Sequence, residues 1–128
     1  MGTSMMKAIT YREFGISTDV LKLKELQVPK PDKGEVQVAL QFSGSNPSDA
    51  KSRAGNRPGV TKPQFGQIVP NSDGSGVISA VGEGVQESRI GQRVWIWNGQ
   101  WQRPNGTAAE YITAVSYTHL TLPTSPHV

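Results

Sequence analysis

The chain has 128 residues, with 13 Lys and Arg against 10 Asp and Glu, which gives a formal net charge of +3. This length accommodates one domain, and so small a basic excess argues against a nucleic-acid-binding protein. The absence of Cys excludes disulfides, thiol nucleophiles and Cys-ligated zinc. Because no apolar run is long enough for a membrane span or a signal core, we expect a cytoplasmic protein without a membrane partner.

The first half of the chain predicts three strands. The first covers residues 6–14, and the second covers residues 21–28 with a change of phase at Glu25-Leu26, where a β-bulge is expected. The third covers residues 35–42 and alternates strictly. Its predicted inward positions are Val36, Val38, Leu40 and Phe42.

A short helix is predicted in the segment NPSDAKSRAG. Asn46 is suited to cap it, Pro47 to occupy its first position, and Gly55 to close it in a left-handed conformation. Residues 56–70 contain three Pro and two Gly and are predicted to form a long loop. Loops of this length in compact domains are often functional.

Three further strands are predicted in the second half, over residues 74–84, 89–97 and 107–113. The glycines of the first do not form a dinucleotide fingerprint, because Ser79 stands where the third Gly is required. They are predicted instead to serve a bulge and a tight turn. Six short strands and one helix favour an antiparallel barrel or sandwich.

The acid–base chemistry open to this chain is limited, because its two His residues, His119 and His127, both fall in the last ten residues. Carboxylates, Lys and Tyr remain. Asp49 and Asp73 are the candidates, although a helix N-terminal charge for Asp49 and a turn position for Asp73 are the preferred interpretations.

Three tryptophans lie close together in the sequence. Trp95 is predicted to lie in the core, whereas Trp97 and Trp101, in the polar context WNGQWQRPNG, are equally suited to a core or to a ligand pocket.

The last 14 residues differ in character from the rest. Residues 115–128 carry no charged side chain, and the segment VSYTHLTLPT resembles a translated transposon-based sequencing adapter. A natural edge strand is the alternative. We therefore expect an N-terminal extension at residues 1–5, one domain at residues 6–114, and a non-native tail at residues 115–128.

The order of the segments MKAITYREFG, GSNPSDAKSRAG, VPNSDGSGVISAVGEGV, RIGQRVW and GTAAEYI is distinctive. It resembles the amino-terminal GroES-like domain of the medium-chain dehydrogenase/reductase superfamily, particularly the zinc-independent, zeta-crystallin-like NADPH:quinone oxidoreductases. The resemblance implies a mostly β fold, a GroES-like partial β-barrel with one or more short helices. It also implies that the Rossmann cofactor domain of such enzymes is absent from this chain.

The resemblance also implies a site without zinc. Zinc-dependent members have Cys at the position of Asn46 and a His-Glu pair at the positions of Ser72 and Asp73. In the metal-free branch, the residue matching Asn46 lies near the nicotinamide and the substrate carbonyl. Lys51 and Arg57 stand where relatives have Tyr near the cofactor. The implied cofactor-binding residues are thus Asn46, Lys51 and Arg57, the implied substrate pocket holds Asn46, Ser72, Trp97 and Trp101, and no catalytic residue is assigned.

The implied function is that of the substrate-side domain of an NADPH-dependent reductase of quinones or α,β-unsaturated carbonyls. The intact enzyme is expected to be a homo-oligomer without nucleic-acid partners, and this chain alone is expected to be inactive. A stand-alone GroES-like binding module and a small barrel that binds single-stranded nucleic acid are the alternatives.

Overall fold

The computed structural model describes residues 4–55, 66–96, 105–116 and 119–121. Seven strands dominate it, in agreement with the predicted mostly β architecture. They are β1 (Met5–Thr10), β2 (Lys22–Gln27), β3 (Glu35–Gly44), β4 (Asp73–Val81), β5 (Arg93–Ile96), β6 (Tyr111–Val115) and β7 (His119–Thr121). The described helices are α1 (Ser17–Val20), α2 (Pro47–Ala54) and a single 3-10 turn at Glu87–Arg89.

The strands form two antiparallel sheets. β1 pairs with β2, and the larger sheet has the order β6-β3-β4-β5-β7. Isolated bridges from Ala8 to Ala109 and from Tyr11 to Ile68 tie the end of β1 to the rest of the molecule. The end of β1 is thereby brought close to segments that lie far away in the sequence.

The core lies on one face of the larger sheet. Alternation over residues 35–38 of β3 and 73–78 of β4 directs every second side chain to this face, as period-two spacing requires. Each such aliphatic side chain stabilises the fold by roughly 1.5–3 kcal/mol through removal from water. The central cluster consists of Val36, Val38, Ile78, Val94, Ile96 and Ile112.

Two aromatic side chains lie outside this core, contrary to prediction. Phe42 is 72% exposed and Trp95 is 50% exposed. The register of β3 against β4 shifts between Leu40 and Phe42, so that Phe42 pairs with Ser75 on the outward face. Trp95 pairs with the same Ser75 from the other side. A bulge inverts the alternation beyond it, which places Phe42 in solvent.

Two glycines, one in β4 and one in the turn that follows it, have the structural roles that the sequence predicts. A Cβ on Gly76 would overlap the carbonyl oxygen of Ala39, beside the β3 bulge. Gly84 has φ +87°, in the left-handed region that a tight turn requires. Gly thus permits the bulge and the turn.

The bulge predicted at Glu25-Leu26 is wrong. β1 and β2 pair residue for residue from Met5 opposite Gln27 to Thr10 opposite Lys22. The change of phase has another cause: most of β2 is exposed, so its sequence is not held to one buried face.

Several predicted strand boundaries also differ. β1 ends at Thr10 rather than at residue 14, and β6 begins at Tyr111 because residues 107–110 form bends and a bridge. β5 begins at Arg93, after the 3-10 turn that takes up the start of the predicted strand. Most of the predicted loop, residues 56–65, lies outside the described residues.

Candidate functional site

The candidate site lies where β3 ends, α2 begins and β4 starts. The carbonyl oxygen of Asn46 accepts from the backbone N–H of Asp49 at 2.9 Å and of Ala50 at 3.4 Å, which makes Asn46 the N-cap residue of α2. Gly55 closes the helix with φ +75°. Both predicted helix boundaries are confirmed.

Asp49 stabilises this helix start from the third helical position. Its Oδ2 accepts from the backbone N–H of Asn46 at 2.8 Å, the reciprocal half of a capping box. A negative charge in the first turn also interacts favourably with the helix dipole. The predicted role of Asp49 as a helix N-terminal charge is confirmed.

The side chain of Asn46 points across to the next strand. Its Nδ2 donates to Oδ2 of Asp73 at 2.9 Å. Asp73 is the first residue of β4, so its predicted position in a turn is wrong. The contact spans 27 residues of sequence and joins a helix N-cap to a strand end.

A buried carboxyl group, that of Asp49, lies beside this contact. The side chain of Asp49 is only 9% exposed. Its pKa is raised above 3.8 because burial disfavours the carboxylate, an effect that the Asn46 N–H opposes and the charge of Asp73 increases. Three carboxylate and amide groups thus share a region of reduced solvation.

Tyr11 belongs to the same region, although the sequence did not indicate it. It is 4% exposed, and its pKa is raised above 10.0 by burial and then by the Asp49 charge, whereas Arg53 opposes the rise. Its position past the end of β1 offered no motif. The antiparallel bridge between Tyr11 and Ile68 ties it to this region.

A chain of polar side chains lies behind Asp73. Nδ2 of Asn71 donates to Oγ of Ser43 at 2.9 Å, and Oγ of Ser43 lies 2.9 Å from Oγ1 of Thr107. Oγ1 of Thr107 in turn donates to the carbonyl oxygen of Asp73 at 2.7 Å. These three residues were not predicted from the sequence, because no local spacing relates them.

The remaining predicted site residues are only partly accounted for. Ser72 is half-buried and precedes Asp73 directly. Lys51 lies on α2, and its side chain is outside what the structure describes, as are Arg57, Trp97 and Trp101 entirely. The structure therefore brings Asn46 and Ser72 to one place and leaves the others as predictions.

The described part of the chain contains neither a metal-ligand cluster nor a membrane-spanning helix. Within residues 4–55, 66–96, 105–116 and 119–121, no three or more His, Cys, Asp or Glu side chains are grouped so as to hold a metal ion. Nor does any helix in these ranges combine the length and apolar character needed to cross a membrane.

Comparison with known proteins gives the family. The family described as alcohol dehydrogenase GroES-like domain matches residues 32–124. The chain belongs to this family. The resemblance predicted from the sequence, and with it the GroES-like fold, is thereby confirmed.

Several relatives of this GroES-like domain are oxidoreductases by name. The chain is 36% identical over 123 residues to a quinone oxidoreductase of Lama guanicoe, which covers 95% of the chain and 35% of the relative. It is 33% identical to an alcohol dehydrogenase of Moraxella sp., over 85% of the chain and 37% of the relative.

A solved structure shows the same fold. A mycobacterial protein in complex with NADPH superposes with a TM-score of 0.74 at 27% identity, over 94% of this chain and 33% of that protein. The chain thus spans about a third of the length of the proteins it matches.

Proposed function

We propose that this GroES-like domain is the substrate-side part of an NADPH-dependent reductase of quinones or α,β-unsaturated carbonyls. The hydrogen bond between Asn46 and Asp73 carries the proposal, because it presents an oriented amide at the junction of β3, α2 and β4. The names of the quinone oxidoreductase relatives and of the NADPH-bound neighbour support it.

Asp73 sets the orientation of the Asn46 side-chain amide. A carboxylate accepts hydrogen bonds and repels a carbonyl oxygen, so Nδ2 faces Asp73 and the orientation of the amide is set. Nδ2 carries a second hydrogen, and we propose that this hydrogen donates to the carbonyl oxygen of the substrate. Such a donor stabilises the negative charge that develops when hydride arrives.

The reaction balances without any other redox group. The cofactor, when bound, would supply the hydride that the quinone or the β-carbon of the unsaturated carbonyl accepts, with NADPH converted to NADP⁺. The negative charge then gathers on the carbonyl oxygen, and a proton from solvent completes the reduction. Asn46 polarises the substrate carbonyl and takes no part in proton transfer.

The site fits a nicotinamide better than a zinc ion. Asn46 offers a neutral amide, Ser72 a hydroxyl, and Asp73 the single carboxylate of this set, already engaged by Asn46. Zinc in proteins favours thiolate and imidazole ligands, which this set lacks. A nicotinamide carboxamide, in contrast, pairs with neutral donors and acceptors. We propose that Asn46, with Lys51 and Arg57, contacts the cofactor.

The rest of the proposal concerns the intact protein. We propose that most of the binding energy for NADPH comes from a separate cofactor domain, so that the 128-residue chain alone has no reductase activity. We also propose a cytoplasmic homo-oligomer without a nucleic-acid partner.

The test is to express the whole reading frame that contains this domain and to follow NADPH oxidation with 1,4-benzoquinone and with trans-2-hexenal. Turnover that persists with excess EDTA is the expected result. Asn46→Ala is expected to lower kcat by roughly a hundredfold, the cost of losing one oxyanion donor. Asn105→Ala, at an exposed asparagine outside the site, is the matched control and is expected to leave kcat unchanged.

Two outcomes would overturn the proposal. One is alcohol oxidation that a chelator abolishes, which would indicate a metal-dependent dehydrogenase. The other is that neither substrate is reduced by a folded full-length protein. Reduction of either substrate by the 128-residue chain alone would refute the separate requirement for a cofactor domain.

A further inference from the structure

We propose that Thr107 is a positioning residue, which holds Asp73, and through it the amide of Asn46, by a directional chain of hydrogen bonds. This relay consists of Asn71, Ser43, Thr107 and Asp73. The inference rests on the proposed function only in taking Asn46 and Asp73 as the pair that polarises the substrate carbonyl. The relay itself depends on hydrogen-bond geometry and not on the reaction.

The direction of the relay follows from the donors available. Nδ2 of Asn71 can only donate, so Oγ of Ser43 accepts from it. The carbonyl oxygen of Asp73 can only accept, so the single hydroxyl hydrogen of Thr107 is directed to it. Ser43 must therefore donate to Oγ1 of Thr107, although the 2.9 Å distance alone does not fix the donor.

Each bond in such a chain polarises the next. A hydroxyl that accepts one hydrogen bond becomes a better donor in the other, and the effect is strongest away from water. Thr107 is fully buried, whereas Ser43 is exposed. The relay thus leads from the surface to a bond that is shielded from solvent, at the backbone of Asp73.

The position of Thr107 is itself fixed by the backbone. Three backbone hydrogen bonds hold its segment: Gly106 N–H to Val69 at 2.8 Å, Thr107 N–H to Asn71 at 2.8 Å, and Ala108 N–H to Pro70 at 3.1 Å. A side chain at Gly106 would collide with these carbonyl oxygens. The hydroxyl of Thr107 is thus presented by a rigid segment rather than by a mobile loop.

The methyl group of Thr107 adds a packing contact on the same side. A Cβ built on Gly74, the residue after Asp73, would lie 3.1 Å from Cγ2 of Thr107. Thr107 therefore faces β4 at two consecutive residues: its hydroxyl donates to the carbonyl oxygen of Asp73, and its methyl lies where a side chain at Gly74 would point. Without the hydroxyl, the carbonyl of Asp73 would lose the hydrogen bond from Thr107, and the start of β4 would be held less firmly against Asn46.

The experiment is side-chain amide NMR on the 128-residue chain, with the Asn46 Nδ2 resonances as the readout. Thr107→Val removes the hydroxyl and keeps the shape, and it is expected to move both Asn46 resonances. Thr107→Ser keeps the hydroxyl and is expected to leave them near their original positions. Thr10→Val is the matched control, because Thr10 is equally buried but its Oγ1 has no hydrogen-bond partner in the described structure.

Unmoved Asn46 resonances in a folded Thr107→Val chain would overturn the proposal, as would equal movement in Thr10→Val. If Thr107→Val does not fold, Ser43→Ala takes its place and is expected to move the Asn46 resonances less, in the same direction. No movement there would equally refute the relay. Because the readout needs no turnover, its failure is distinct from failure of the proposed reductase activity.

Discussion

Nδ2 of Asn46 lies 2.9 Å from Oδ2 of Asp73, across the gap between the start of α2 and the start of β4. The contact makes the amide of Asn46 an oriented donor. It also couples two structural elements, so its replacement should affect both stability and catalysis.

Asn46→Asp would place a second carboxylate against Asp73. Two carboxylates this close repel each other when both are ionised, so the pKa of the pair would rise in the folded state. A raised carboxyl pKa contributes stability at low pH that is lost as pH rises through it. Denaturant titrations should show Asn46→Asp less stable than the parent near pH 7 and recovering toward about pH 4.

Asn46→Ala is the control for that experiment, since it removes the same hydrogen bond without adding a charge. It should lose about 1.5–3 kcal/mol, the typical contribution of one hydrogen bond to a charged group, without the recovery in acid. If the free energy of unfolding of Asn46→Asp and Asn46→Ala depends on pH in the same way, repulsion between the two carboxylates is not the cause of the loss.

Asp49 should make the native chain less stable as pH rises through its own titration. Its folded pKa is raised above 3.8, so the folded state favours the protonated form, and ionisation costs stability from about that pH upward. Asp49→Asn should flatten this decline, because the amide oxygen still accepts from the Asn46 N–H. The measurement is the free energy of unfolding from pH 3 to pH 7, values that span the titration of a carboxyl.

Asp19→Asn provides the comparison, at an exposed aspartate in the first turn of α1. It should leave the decline in place. If the free energy of unfolding of Asp49→Asn declines with pH as steeply as that of the parent, burial of Asp49 is not the cause of the decline.

Thr10 and Thr107 should respond in opposite ways to the same substitution. Oγ1 of Thr10 is buried without a partner in the described structure, so Thr10→Val should raise the free energy of unfolding by about 1 kcal/mol. Thr107→Val should lower it by about 1 kcal/mol, because it removes the hydrogen bond from Oγ1 of Thr107 to the carbonyl oxygen of Asp73. Parallel thermal and denaturant unfolding would show the difference, and equal signs would contradict it.

Gly106→Ala should be strongly destabilising. A Cβ at this position would lie 2.6 Å from the carbonyl oxygens of Val69 and Pro70, closer than carbon and oxygen can approach. Relief requires a backbone shift, which costs roughly 1–3 kcal/mol. Gly44→Ala is the control, since its nearest contact is an ordinary 3.6 Å from Asp73, and denaturant unfolding should barely distinguish it from the parent.

The origin of residues 115–128 remains a prediction that DNA sequencing can test. Resequencing the source gene across the codons after Thr113 should reveal a frame that continues into another sequence. If VSYTHLTLPTSPHV is encoded in the source gene itself, the segment is natural and the adapter interpretation is wrong.

The sequence by itself determined the features that depend on neighbours along the chain. Alternation placed Val36 and Val38 in the core, because a strand exposes successive side chains to opposite faces. Asn46, Pro47 and Gly55 delimited α2, because caps act within one turn of the helix.

Only the tertiary structure decided the features that depend on pairing. Phe42 lies in solvent because a bulge against β4 inverts its face, and strict alternation cannot reveal where an extra residue is inserted. Asp73 and Thr107 meet 34 residues apart, through a bond that no local spacing encodes. The sequence supplied the amide and the carboxylate of the site, and the packing of distant strands decided which atoms hold them in place.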